Sequence, residues 1–243
     1  MAGLAVVTGG GGDIGRETAL ELARRGEAVS VWDLNAEAAA ETAREIVEQG
    51  GHAISFGVDV RDQEAVLNAT AKSIAEFGPV TILLTGAGIS RMMDFVDMPL
   101  DVWTSMLAVH ATGTFICAQA VAPSMIEANY GRIVFISSLA GLNGNAGSVH
   151  YAAAKAAIIG FAKALAKELG PHGITVNSIA PGAIDTAMLK LIPDRILDIT
   201  ARSNPMGRVG VTHDVARAVL FFTEQDADFV TGTVLSVNGG TYM

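Results

Sequence analysis

The chain has 243 residues, half of them hydrophobic and 17% charged, with 27 glycines and a formal net charge of -9. This core-rich composition excludes a disordered chain, and an acidic chain without a Lys/Arg block is a poor match for DNA, RNA or an anionic membrane. The single cysteine, Cys117, excludes an internal disulfide and points to the cytoplasm, and no apolar run reads as a membrane span.

Strand-like and helix-like segments alternate from the first residues onward. "LAVVT" (4–8) is a short apolar run stopped by glycines; with no basic flank before it, it reads as a first strand and not as a signal peptide. Residues 14–25 carry Ile14, Ala19, Leu22 and Ala23 at helical spacing. "AVSVWD" (28–33) predicts a second strand, and "AEAAAETAREIVEQG" (36–50) a helix stopped by Gly50. Further strands are predicted at 53–60, 80–85, 131–138 and 173–180 and in "GTVLSVNGG", with helices at 62–77, 112–128 and 151–169. The strands are continuous apolar runs, as a parallel sheet covered on both faces requires. With right-handed crossovers the order predicts an α/β fold, a single-domain Rossmann fold over 1–243. Its doubly wound parallel sheet has about seven strands, with helices on both faces. The weakest pattern, at 182–212, predicts a substrate lid around 186–210.

The first strand ends in "TGGGGDIGRE" (8–17). A glycine-rich turn into a helix lets a phosphate approach the backbone and the helix N-terminus. A Walker-type loop fails here, because Arg16 and Glu17 stand where Lys and Ser/Thr are needed. Asp33, at the end of the second strand, is placed to accept hydrogen bonds from adenosine ribose hydroxyls and to repel a 2′-phosphate. Leu34 and Asn35 follow it with no arginine, which favours NAD(H) over NADP(H). The bland alternative is that Asp33 caps the next helix. Asp59 is placed to hydrogen-bond an adenine edge, with the Val60 backbone beside it.

Ser138 closes the fifth predicted strand, Tyr151 opens the next helix, and Lys155 lies one turn on, on the same face. In a doubly wound sheet the carboxyl ends of the strands line the ligand crevice, so these groups meet the cofactor there. A phenol with a pKa near ~10 is a poor acid or base at neutral pH. A nearby ammonium and the positive nicotinamide ring lower that value toward the useful range. Ser138 orients the substrate oxygen. No metal is expected.

With these motifs in order, the chain resembles the short-chain dehydrogenase/reductase family over essentially its whole length. The matches are "TGGGGDIG" (8–15), "DV" (59–60), "GAG" (86–88), "ISS" (136–138), "YAAAK" (151–155), "NSIAPGAIDT" (177–186), "GRVG" (207–210) and "VTGTVLSVNGG" (230–240). The resemblance implies hydride transfer with a nicotinamide cofactor, and catalysis by Ser138, Tyr151 and Lys155. It implies a cofactor cradle of Thr8, Gly9, Gly11, Gly12, Asp13, Ile14 and Gly15, then Gly86, Ala87 and Gly88. Lys155 then bonds the nicotinamide ribose, and Pro181, Gly182, Ile184 and Thr186 embrace the nicotinamide. Asn177 supports the site, and a homotetramer with the C-terminal segment in an interface is implied.

Three positions depart from the family pattern. Asp13 replaces a glycine beside the pyrophosphate, which is unfavourable unless the carboxylate turns away to cap the helix. "TGAG" (85–88) replaces Asn-Asn-Ala-Gly. His110, in "HATGTF", stands where the family has a fourth catalytic residue, an asparagine that holds a water on the proton path from lysine. Histidine also carries a proton near neutral pH, so the expectation is that His110 substitutes in the relay. His110→Asn is then expected to alter the pH profile below neutrality. A helix-packing histidine is the alternative.

Met92 and Met93, with Met188, Leu189, Leu191 and Ile192, predict an apolar mouth suited to a hydrophobic ketone or secondary alcohol. The chain also resembles 3-oxoacyl-carrier-protein reductases, so a 3-oxoacyl thioester of ACP or CoA is the alternative. An acidic carrier needs a basic landing patch, and "SMIEANYGR" offers little besides Arg132. From another class, a catalytically weak NAD-binding module is a further alternative.

Overall fold

The computed structural model describes residues 3–187, 189, 201 and 204–243. Strands β1 (Leu4–Thr8), β2 (Ala28–Asp33), β3 (Ala53–Gly57), β4 (Val80–Thr85), β5 (Gly131–Ile136), β6 (Ile174–Pro181) and β7 (Val234–Val237) form one seven-stranded sheet. Its order is β3-β2-β1-β4-β5-β6-β7, and every pairing is parallel. The strand order reverses between β1 and β4, which opens a crevice at their carboxyl ends. Two strands end earlier than the sequence predicts: Val58 and Ser137 still donate to Asp33 and Ile179 of the neighbouring strands, and the chain then turns into that crevice.

Because strand side chains alternate between faces, two apolar clusters form. Leu4, Val6, Ile133 and Phe135 point to one face, and Ala5, Val7, Val134 and Ile136 to the other. The first cluster is covered by α3 (Gln63–Phe77), α5 (Gly113–Ala128) and α7 (Val149–Leu169); the second by α1 (Asp13–Arg24), α2 (Ala36–Glu48) and, near the C-terminus, α8 (Thr212–Phe222). The short helices α4 (Leu100–Leu107) and α6 (Ala140–Asn143) flank the crevice.

Leu100–Ala128 is one continuous helical run of 29 residues, with a window of mean hydropathy 1.3. By length and composition alone it is long enough to cross a membrane, contrary to the reading of the sequence. Its apolarity has a local cause: Ile116, Cys117, Val121 and Met125 are buried against the sheet. Burial also pushes the Cys117 thiol up to about 12, so it is no nucleophile. Arg132 is buried as well, its guanidinium donating to the carbonyls of Gly131, Gly173, Glu224 and Gln225. It braces the sheet and offers no landing surface.

Candidate active site

The crevice is a cleft of about 1060 Å³ that runs from the glycine turn to Tyr151. Gly15 stands so close to the turn that a Cβ there meets the Gly9 carbonyl oxygen at 2.1 Å, and only glycine fits. Helix α1 starts after Gly12 with no side-chain cap, so its first amides are left for an anion. Thr8 and Gly11 do not line the cleft, contrary to expectation. The Thr8 hydroxyl accepts from the amides of Gly86 and Ala87 at 3.2 and 3.3 Å, and Gly11 donates its amide to Asp33 at 3.0 Å. Both shape the loop from behind.

Asp13 turns its carboxylate away from the turn, as the charge argument requires, but it does not cap α1. It accepts from the Ala187 amide at 2.8 Å, tying the turn to the segment after β6. Asp33 holds Gly11 with one oxygen and accepts from the Asn35 amide with the other at 2.9 Å. The cap of α2 is Asn35, whose side chain accepts from Glu37 and Ala38, so the capping alternative for Asp33 falls. Asp33 and Leu34 line the cleft. Asp59 lines it too, but Arg61 grips both its oxygens and holds the carboxyl below its usual range. An exposed pair of this kind contributes less than about 1 kcal/mol, so it yields to a ligand.

Val60, Gly86, Ala87, Gly88, Pro181, Gly182, Ile184 and Thr186 line the cleft too. Asn177 is fully buried behind it, donating to the Val230 carbonyl at 2.7 Å and accepting from Thr233. Most of the expected lid, with Met188, Leu191 and Ile192, lies outside the described residues. Met92 and Leu189 line the mouth, whereas Met93 does not. Ser90, Arg91, Asn143, Asn145 and Ser148 line it as well, so the mouth is more polar than its methionines suggest. These polar residues carry no motif, and their sequence neighbours give no signal.

Ser138, Tyr151 and Lys155 all meet in the cleft. Helix α7 begins at Val149, which places Tyr151 in its first turn and Lys155 in the next. The Ser138 hydroxyl accepts from the Ala140 amide at 3.1 Å and faces the same cleft as the Tyr151 phenol. Burial raises the phenol above its ordinary value, and the nearby Ser138 hydroxyl pulls the other way. Lys155 is not bonded to the phenol. Its Nζ donates to the Ile136 carbonyl at 2.7 Å and stands 5.6 Å from the Tyr151 ring centroid. Burial drops Lys155 to about 7. Among the protein's own groups, desolvation governs both at this depth.

His110 sits in a π-helical turn, Ala108–Thr112, that joins α4 to α5. Its Nε2 donates to the Ile89 carbonyl at 2.8 Å, and its ring meets Tyr151 edge-on, with centroids 5.3 Å apart. Gly88 gives it room, since a Cβ there falls 2.5 Å from the ring. Nδ1 is buried without a partner among the described residues. Burial, then the charge of Lys155, push His110 down to about 3. At that value it is neutral near pH 7, against the expectation that it carries a proton near neutrality. His110→Asn should therefore leave the activity–pH profile below neutrality unchanged. An acidic limb displaced in that variant would restore the proton-carrying role.

A family model described as enoyl-(acyl carrier protein) reductase matches residues 11–242. The chain belongs to the short-chain dehydrogenase/reductase family. Among curated relatives of this short-chain dehydrogenase/reductase, a 3-oxoacyl-(acyl-carrier-protein) reductase of Chlamydia trachomatis is 40% identical over 237 residues, 97% of this chain and 96% of the relative. A (3R)-3-hydroxyacyl-CoA dehydrogenase of Canis lupus familiaris is 38% identical over 249 residues, 99% of this chain and 96% of the relative. A 2-dehydro-3-deoxy-L-rhamnonate dehydrogenase (NAD(+)) of a Sphingomonas strain is 35% identical over 237 residues, 97% of this chain and 94% of the relative. As a short-chain dehydrogenase/reductase the chain is an oxidoreductase acting on CH–OH or ketone groups, and not a dinucleotide-binding module alone.

Proposed function

We propose that the protein transfers hydride between NAD(H) and the 3-position of a 3-oxoacyl or 3-hydroxyacyl thioester, with CoA favoured over a carrier protein. The observation that carries this reading is the meeting of Ser138, Tyr151 and Lys155 in one cleft, with Lys155 one helical turn from Tyr151. Relatives named for 3-oxoacyl and 3-hydroxyacyl thioesters support it over a free hydrophobic ketone, the first expectation from sequence. The burial of Arg132 supports a small carrier, since no basic surface stands there for an acidic protein.

The residues fit a dinucleotide: open amides at α1 for its pyrophosphate, Asp33 for its ribose, and glycines that keep the walls thin. When bound, the nicotinamide supplies or accepts the hydride. In reduction, Tyr151 gives its phenolic proton to the ketone oxygen as that oxygen gains charge, and Ser138 holds the same oxygen by a hydrogen bond. Lys155 returns a proton to Tyr151 from the Ile136 side. His110 fixes the loop at Ile89 and offers Nδ1 as an acceptor for a water on this path. In oxidation each step reverses.

The test is mixing the protein with NADH and acetoacetyl-CoA and following the loss of NADH absorbance. No turnover with any 3-oxoacyl thioester overturns the reading. The cofactor choice rests on Asp33. Asp33→Asn should cut the NADH-over-NADPH ratio of kcat/KM by about tenfold or more, since it removes a charge facing the 2′-phosphate. An unmoved ratio refutes that role. A cytoplasmic homotetramer completes the reading, supported by the buried lone cysteine and by Phe229, Leu235, Tyr242 and Met243, all exposed around the edge strand β7.

A further inference from the structure

Beyond Tyr151 the cleft wall is the loop after β4, and two bonds fix it. His110 holds Ile89, and the Met93 amide donates to the Gly147 carbonyl at 2.8 Å, just before α7. Arg91 lies midway between these anchors. It lines the main cleft and also an adjoining cavity of about 220 Å³ whose wall includes Ile89, Asp101, Val102 and Ser105. The two cavities share Ile89, Arg91 and Ser105.

Among the described residues the other two cations of the cleft are engaged: Arg61 with Asp59 and Lys155 with the Ile136 carbonyl. Arg91 has no ion pair or hydrogen bond among the described residues. Among the described residues the acids of the main cleft, Asp13, Asp33 and Asp59, sit at the nucleotide end, and each already accepts a hydrogen bond from the protein. Asp101 is the acid in the wall of the smaller cavity among the described residues, and no salt bridge joins it to Arg91 there. The uncapped start of α7 adds positive potential from the other side of the mouth. The charge of Arg91 reaches that helix: after burial, it is what holds His150 below its ordinary value. A cation whose backbone is pinned on both sides and that has no partner among the described residues is placed to meet an anion on the ligand.

We propose that Arg91 anchors an oxyanion on the substrate, a carboxylate or a phosphate, and so selects charged acyl substrates over neutral ketones. This rests on the reductase reading of the cleft and names the class of substrate it takes. The guanidinium fork suits either anion, and lysine, a point charge, replaces it only in part.

The test compares three 3-oxobutanoyl substrates: acetoacetyl-CoA, acetoacetate and the neutral acetoacetyl thioester of N-acetylcysteamine. Arg91→Ala should lower the ratio of kcat/KM for charged over neutral substrate by about tenfold or more, mainly through KM. Arg91→Lys should recover part of it, and Asp101→Asn should not lower it. A loss confined to acetoacetyl-CoA assigns the anion as phosphate, and a loss confined to acetoacetate as carboxylate. The same ratio in Arg91→Ala and the natural protein overturns the proposal. If no substrate turns over, the reductase reading fails by itself, and thermal shifts of the NADH complex with free CoA and with acetoacetate decide the anchor. Shifts lost in Arg91→Ala support it, and equal or absent shifts overturn it.

Discussion

Tyr151→Phe lowers kcat by about 10²–10⁴-fold, the usual share of a positioned general acid or base, and changes the NADH dissociation constant by less than about threefold. The change removes one oxygen. The ring stays, edge-on to His110, and Ser138 still accepts from the Ala140 amide. What is lost is the hydroxyl that shares the cleft floor with Ser138 and carries a transferable proton. Without it a ketone oxygen must gain charge against a serine alone. The check is a comparison of single-turnover hydride transfer with NADH binding by fluorescence. Turnover within about tenfold of the natural protein would sink the assignment of Tyr151.

Lys155→Met should lower turnover at neutral pH by about 10²–10³-fold and remove the pH dependence near neutrality. Burial brings Lys155 down to about 7 while it lifts Tyr151 above 10.0. The two groups sit in one buried site, so the proton that leaves near neutrality belongs to the pair. Below that point both are protonated and oxidation has no base. Log kcat/KM for oxidation should therefore rise about one unit per pH unit up to about 7 and level off above it. In the methionine variant the limb moves toward the tyrosine's own alkaline range.

Stability carries the same signature. Between the folded value of about 7 and the ordinary lysine value of 10.5, the unfolded chain binds a proton that the folded one has released. Stability of the natural protein relative to Lys155→Met therefore rises with pH across that window. Denaturant midpoints measured on both proteins at several pH values report it. Parallel curves for the two proteins would mean that Lys155 keeps its charge when folded.

The parts of this protein set by local periodicity were legible in the chain itself. Alternation of side chains along continuous apolar strands determined a sheet covered on both faces, and Leu4 and Ala5 do point to opposite clusters. A spacing of four determined that Tyr151 and Lys155 share a helix face. The glycines of the first turn determined an anion-accepting helix start, because no other residue permits the approach at Gly15. Element ends were less legible: 58–60 and 137–138 carry strand-like residues but turn into the cleft.

What only the tertiary structure decided is partnership and desolvation. Asp13 finds its donor 174 residues away at Ala187, and no pattern near Asp13 encodes that bond. Arg132 looks like surface charge in sequence and is buried among four carbonyls. His110, an ordinary titrating histidine in sequence, is neutral because α5, α7 and the β4 loop exclude water from it. Arg91 has meaning only once Ile89 and Met93 are anchored on either side of it. Spacing along one helix or strand is a property of the chain, whereas the loss of water around a side chain depends on segments far away in sequence.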